Sequence, residues 1–210
     1  MPRGLRNRLK TTAPVHNSVR DVFKQLLPFL VILACLSGCV LLKPSGDLEP
    51  AELIPMAPPV GPARRIVQQI TAFWPDRQET LLCVLELDKQ RIAIAGLSNE
   101  GFSLFNLSYD GKALTLDKSP LLPDAFSPEF IIKDLQLVYW PVTELQKILP
   151  RHWRLEDDNK HRRLYYNNEL RVDVDYLQPD ATWAKEVAVT NHRYHYHLHI
   201  KTVNYDTLPE

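Results

Sequence analysis

Three groups of residues have the types and spacing to do chemistry: a cysteine closing an apolar run, a row of alternating histidines, and two alternating aspartates. Leu36-Ser37-Gly38-Cys39 follows the apolar stretch 26–34, and Arg3, Arg6, Arg8, Lys10, Arg20 and Lys24 precede it. A basic start, an apolar run and small residues at a cleavage point are the layout of an export signal. Small side chains at Ser37 and Gly38 let a peptidase close on the bond before Cys39, whose thiol then carries a diacylglycerol. Residues 1–38 are thus expected to be a lipoprotein signal peptide, and the mature chain to start at a lipidated Cys39. Each buried methylene contributes about 0.8 kcal/mol, so two or three acyl chains hold a membrane where one does not. Val40 stands where lipoproteins kept in the inner membrane usually have Asp, which favours the periplasmic face of the outer membrane. Two alternatives remain: lipidation at Cys35, preceded by Ile32-Leu33-Ala34, and an uncleaved anchor over 26–42, interrupted by Pro28.

His195, His197 and His199 alternate along an expected strand with Tyr194, Tyr196 and Leu198, and His192 lies nearby. Two histidines one residue apart can share a metal ion, but the first and third would stand about 13 Å apart. Solvated histidines on a polar strand face are the expected state, with no metal site. Asp173 and Asp175 point away from Val172 and Val174, which makes them an exposed face rather than an acid/base pair. Cys83, the one cysteine beyond the signal region, sits in an apolar alternating stretch and reads as a buried, inert thiol. No nucleophile elbow, phosphate loop, zinc-protease helix or dinucleotide fingerprint occurs, so nothing argues for an enzyme or a cofactor.

The whole chain has 25 basic and 25 acidic residues; the first 38 hold six and one of these, leaving a net charge of about −5. That balance argues against nucleic acid as a partner. Six prolines between residues 44 and 62 preclude regular structure and suggest a semi-rigid tether over 39–63. Residues 64–210 then form one domain with its own core.

The elements of that domain read mainly as antiparallel sheet. Leu81, Cys83, Leu85 and Leu87 share a face, as do Ile92 with Ile94, and Leu114 with Leu116. Asp110-Gly111 is a hairpin signal. About five strands form a first meander, starting near 67–74, and further strands cover 161–166, 170–176 and 193–201. Asn167-Asn168 makes the turn between the first two of these. Between the halves, Ser127-Pro128 starts a helix with Ile131, Leu135 and Val138 at helical spacing, and a second short helix covers 142–149. A bent sheet carrying such an insertion is either filled by the helices or hollow beneath them.

The segments 104–111 (LFNLSYDG), 119–123 (SPLLP), 134–141 (DLQLVYWP), 148–157 (ILPRHWRLED) and 190–200 (TNHRYHYHLHI) resemble a family of small bacterial lipoproteins of unassigned function. Its members are encoded beside genes for aryl polyene synthesis and are similar in architecture to LolB, an outer-membrane lipoprotein receptor. The resemblance covers about residues 66–203. It implies a mainly β (α+β) fold, a curved, unclosed antiparallel half-barrel with a helical lid. An apolar or acylated ligand, lipoprotein acyl chains or an aryl-polyene-type lipid, would occupy the hollow for periplasmic transfer. A LolA-like periplasmic carrier is the implied partner. By this analogy Leu85, Ile92, Ile94, Phe102, Leu104, Leu114, Leu116, Val172, Val174, Tyr194 and Tyr196 would line the hollow, and Phe130, Ile131 and Leu135 the lid. One departure stands out: the turn 98–101, where LolB has a protruding loop with an apolar tip, is short and wholly polar, which speaks against insertion of lipoproteins by the LolB route. The other class is a membrane-tethered scaffold with a filled core and no ligand.

Overall fold

Among the described residues, alternating apolar and polar side chains build ten strands, and every neighbouring pair of them is antiparallel. The computed structural model describes residues 54–122 and 127–209, all within one compact unit. The expected signal peptide, Cys35, Cys39 and the first part of the tether lie outside the described residues. The first meander is β1 (Arg64–Phe73), β2 (Gln78–Leu87), β3 (Ile92–Leu97), β4 (Ser103–Tyr109) and β5 (Leu114–Lys118). Two helices follow, α1 (Pro128–Tyr139) and α2 (Val142–Ile148). The second half is β6 (Trp153–Asp157), β7 (His161–Tyr166), β8 (Glu169–Gln178), β9 (Glu186–Asn191) and β10 (Tyr196–Thr207).

The strands form one sheet in the order β5-β4-β3-β2-β1-β10-β9-β8-β7-β6. The last strand therefore pairs with the first, from Arg64 opposite Thr207 to Phe73 opposite His197, and the two meanders become one surface. β5 and β6 end the order without pairing to each other, so the sheet is unclosed, as the resemblance implied.

Local chemistry fixes the turns. Asp88, Asp110 and Asp158 each turn a carboxylate oxygen back onto two backbone N–H groups two and three residues on, at 2.6–3.0 Å. Asn167 and Asn168 both take positive φ, the conformation of a tight two-residue hairpin. At Gly96 the constraint is a neighbour: a Cβ there would overlap the ring of Phe105, across the sheet on β4.

Two expectations about strands change. The run 193–201 is not one strand: residues 192–195 turn between β9 and β10, with His195 at φ 54°, so β10 starts only at Tyr196. Asn191 drives this turn, its side-chain oxygen accepting the N–H groups of Arg193 and Tyr194. The row of three histidines is thereby broken. The second change is in β4, where Phe105, Leu107 and Tyr109 are buried rather than the even-numbered positions. A bulge beside Gly96 makes Leu97 pair with Ser103, skipping Leu104, and leaves Phe102 outside the strand and 65% exposed.

The proline-rich segment also differs from a free tether. Ala57 is fully buried, and its N–H and C=O exchange hydrogen bonds with the side chain of Gln136 on α1 at 2.8 and 2.6 Å. Trp140 Nε1 donates to the Pro58 carbonyl and the Tyr109 hydroxyl to the Met56 carbonyl. Proline prevents a strand or helix here but not a docked strap, because side chains can satisfy its backbone carbonyls.

Candidate functional site

A hollow of about 860 Å³ opens between the sheet and α1. Its floor is the inward face of β1–β4 and β10, with Ile70, Leu81, Cys83, Leu85, Ile94, Leu198 and Ile200, and its lining is mostly apolar. Its roof is one side of α1: Phe130, Ile131, Asp134, Leu135 and Tyr139. The Pro128 start and Ile132, Leu135 and Val138, buried at helical spacing, set that side of the helix against the sheet. Exposed residues of the β1–β2 and β3–β4 turns, Arg77, Asn99 and Glu100 among them, border the opening at one end of the sheet, with Glu79 at the start of β2. At the other end Ile92, Tyr109, Trp140 and Ala57 fill the space completely. The volume lies within the ~300–1,000 Å³ typical of ligand sites.

A second cavity of about 120 Å³ lies on the other side of α1, against α2 and β6–β8. Leu145, Trp153, Leu155, Leu164 and Val172 line it, with Lys133, Arg171 and Arg193. Phe130, Asp134 and Tyr194 border both cavities. The Phe130 and Tyr194 rings meet edge to face at 4.7 Å, forming a wall between them.

The structure brings eight of the expected lining residues to the hollow: Leu85, Ile94, Leu104, Phe130, Ile131, Leu135, Tyr194 and Tyr196. Tyr194 arrives from the β9–β10 turn rather than from a strand. The other six lie elsewhere. Ile92 and Val174 are fully buried core residues, and Val172 lines the smaller cavity. Leu114 and Leu116 rest half-buried against the core at the β5 edge, and Phe102 is exposed next to the polar turn. That turn therefore ends on an exposed apolar residue, which its sequence alone did not suggest. Lining residues not anticipated include Ile70, Leu198 and Asp134. The first two follow from the strand alternation; a single Asp on a helix carries no signal of its own.

Polar groups in the hollow are few and mostly paired. Gln68 is buried and donates to the Tyr139 hydroxyl at 2.7 Å. The Tyr196 hydroxyl donates to Asp134 Oδ2 at 2.7 Å and accepts from Asn191 Nδ2 at 3.1 Å. Burial pushes the Asp134 carboxyl up to about 7, against the opposing pull of that Tyr196 hydrogen bond. Cys83 is 2% exposed, and burial pushes its thiol up to about 12, which makes it a poor nucleophile. On the outer face His197 meets Thr190 and His199 meets Glu186, and among the described residues no group of three His, Cys, Asp or Glu is arranged to hold a metal ion. Asp173 and Asp175 face Arg163 and His161.

A family model described as a protein of unknown function, DUF3261, matches residues 65–204. No curated protein matches the chain. Among solved structures, a LolA superfamily protein from Nitrosomonas europaea is similar at 6% identity and a TM-score of 0.44, over 71% of this chain and 87% of that one. A DUF1329 family protein from Desulfovibrio piger gives 8% and 0.39, over 75% and 87%. An outer membrane lipoprotein-sorting protein domain from Vibrio parahaemolyticus gives 11% and 0.40, over 71% and 88%. All three are distant likenesses and carry no argument about function.

Proposed function

We propose, from the premise that this chain belongs to the DUF3261 family of proteins of unknown function, that it is a membrane-tethered binding protein for an apolar or acylated molecule. The observation that carries this reading is the open, mostly apolar hollow of about 860 Å³ beneath α1. A filled scaffold would close that space at both ends, whereas here one end is filled and the other is open. Leaving such a surface wet is unfavourable by roughly 25 cal/mol per Å², and an acyl chain would recover that energy. The ligand would pass from one apolar environment to another, so binding rather than catalysis is the task. Lipoprotein acyl chains or an aryl-polyene-type lipid fit this chemistry, handed over by a LolA-like carrier. A lipidated Cys39 would hold the protein at the periplasmic face of the outer membrane, with residues 1–38 removed and the stretch before the docked strap as its spacer.

The test uses the full chain with Cys39→Ala, which keeps the acyl anchor off, exported to the periplasm and examined by native mass spectrometry and organic extraction. A co-purifying acyl or polyene species is expected. Its loss in Leu81→Glu and Leu104→Glu, both half-buried lining positions whose variants keep the wild-type circular dichroism, would tie the species to the hollow. A clean apo mass, with no binding of a fluorescent fatty acid, would sink the reading.

A further inference from the structure

Asp134 stands where the two cavities meet, on the one helix that roofs both. Its Oδ2 accepts the Tyr196 hydroxyl, and Tyr196 is itself anchored by Asn191, so the carboxyl is held in one orientation. Its other oxygen, Oδ1, makes no hydrogen bond among the described residues. Other polar groups around it are Lys133 on α1, Arg171 on β8 and Arg193 in the β9–β10 turn, on the smaller cavity, and Tyr194 of the same turn, which borders both. Glu79, Glu100 and Arg77 stand at the exposed mouth of the hollow. Oδ1 is not sealed off: it keeps accessible surface at the cavities, so a ligand head that displaces water from it must supply a donor in its place.

Resting on the reading of the hollow as a ligand site, we propose that Asp134 recognises the head of the ligand. The hollow takes an amphiphile whose polar end presents a hydrogen-bond donor, a hydroxyl, an amide N–H or an ammonium group, to Asp134 Oδ1, and it disfavours a carboxylate end. Chain length alone cannot give such selectivity, since an apolar wall treats all alkyl chains alike. A fixed acceptor can, because a head without a donor leaves it unpaired and an anionic head adds repulsion. Burial raises the proton affinity of Asp134, and the Tyr196 hydrogen bond opposes that rise.

The experiment displaces the neutral dye N-phenyl-1-naphthylamine from the full Cys39→Ala chain at pH 8. The competitors are dodecan-1-ol, dodecylammonium and dodecanoate. The alcohol and the ammonium are expected to compete about tenfold better than dodecanoate, equivalent to about 1.4 kcal/mol. Asp134→Asn, which still accepts the Tyr196 hydroxyl, is expected to narrow that gap to about threefold or less. Equal potency in the wild type, a preference for dodecanoate set by Lys133 and Arg193, or an unchanged gap in Asp134→Asn would overturn the head-recognition proposal. Each of those leaves the hollow as a binding site. If neither dye nor competitor binds at all, the ligand-binding reading itself falls.

Discussion

The Asp134 carboxyl has a consequence for stability that can be read without any ligand. In the folded chain it holds its proton up to about 7, because burial opposes the charged form, whereas an unfolded Asp releases it near 3.9. Between about pH 4 and 7 the folded state therefore binds more protons than the unfolded one, and stability falls as pH rises through that window. Other carboxylates act in the opposite sense at lower pH. Asp110, Asp158 and Asp180 are held below the usual range, chiefly by backbone N–H groups, and the stability they add is lost as pH falls through their folded values. The melting temperature should thus peak in the mildly acidic range and decline toward pH 8. In Asp134→Asn the decline between pH 5 and 8 should be largely absent; an identical decline in both proteins would show that Asp134 is not its source.

At the scale of elements, α1 is held at several points, and each has a different cause. Its C-terminal carbonyls are met by Arg162 of β7, whose Nη1 donates to the Leu137 and Trp140 carbonyls at 2.7 and 2.9 Å while Nε donates to Asp157. A buried guanidinium thus supplies donors to backbone groups that a helix end leaves unpaired. Tyr176 adds a hydrogen bond to the Val138 carbonyl at 2.6 Å. On the opposite side Gln136 holds the strap through Ala57, filling the closed end of the sheet. Gln136→Ala strands a buried N–H and a buried C=O, so a loss of about 1–3 kcal/mol is expected in urea unfolding. Hydrogen exchange should speed up at the Ala57 amide well before it does at Val187 or Val189. An Ala57 amide still protected in the variant would mean that the strap is held by Trp140 and Tyr109 alone.

Across the whole molecule the sheet is one surface, but its two halves are used differently. Under β8 and β9 the inward side chains of Val174, Val187 and Val189 are buried, and the smaller cavity beside Leu155 and Leu164 interrupts the packing against α1. Under β1–β4 the same kind of alternation leaves the hollow, whose roof runs along α1 from Phe130 to Tyr139. Enlarging side chains should therefore have opposite outcomes in the two halves. Val189→Phe adds volume to a filled core and should cost about 1–3 kcal/mol, whereas Leu81→Phe grows into open space and should cost under about 0.5 kcal/mol while reducing ligand capacity. Equal costs at the two positions would mean that the hollow is not open in solution.

Most of the strand plan is legible along the chain. Period-two alternation marks β2, β3 and β8, Asp110-Gly111 marks the β4–β5 turn, Asn167-Asn168 the β7–β8 turn, and Ser127-Pro128 the start of α1, because each depends on neighbours within a few residues. What failed also has a local cause. A bulge beside Gly96 shifted the inward positions of β4, and Asn191 turned the chain where unbroken alternation suggested one strand. Long-range pairing was beyond reach: nothing near Arg64 announces that it will lie opposite Thr207. Nor does a proline-rich stretch reveal that Gln136, 79 residues on, will hold it down. Filled or hollow was likewise decided only in three dimensions. Val174 and Ile94 look alike in sequence, and what separates a core residue from a cavity wall is which distant side chains the folded chain sets against each.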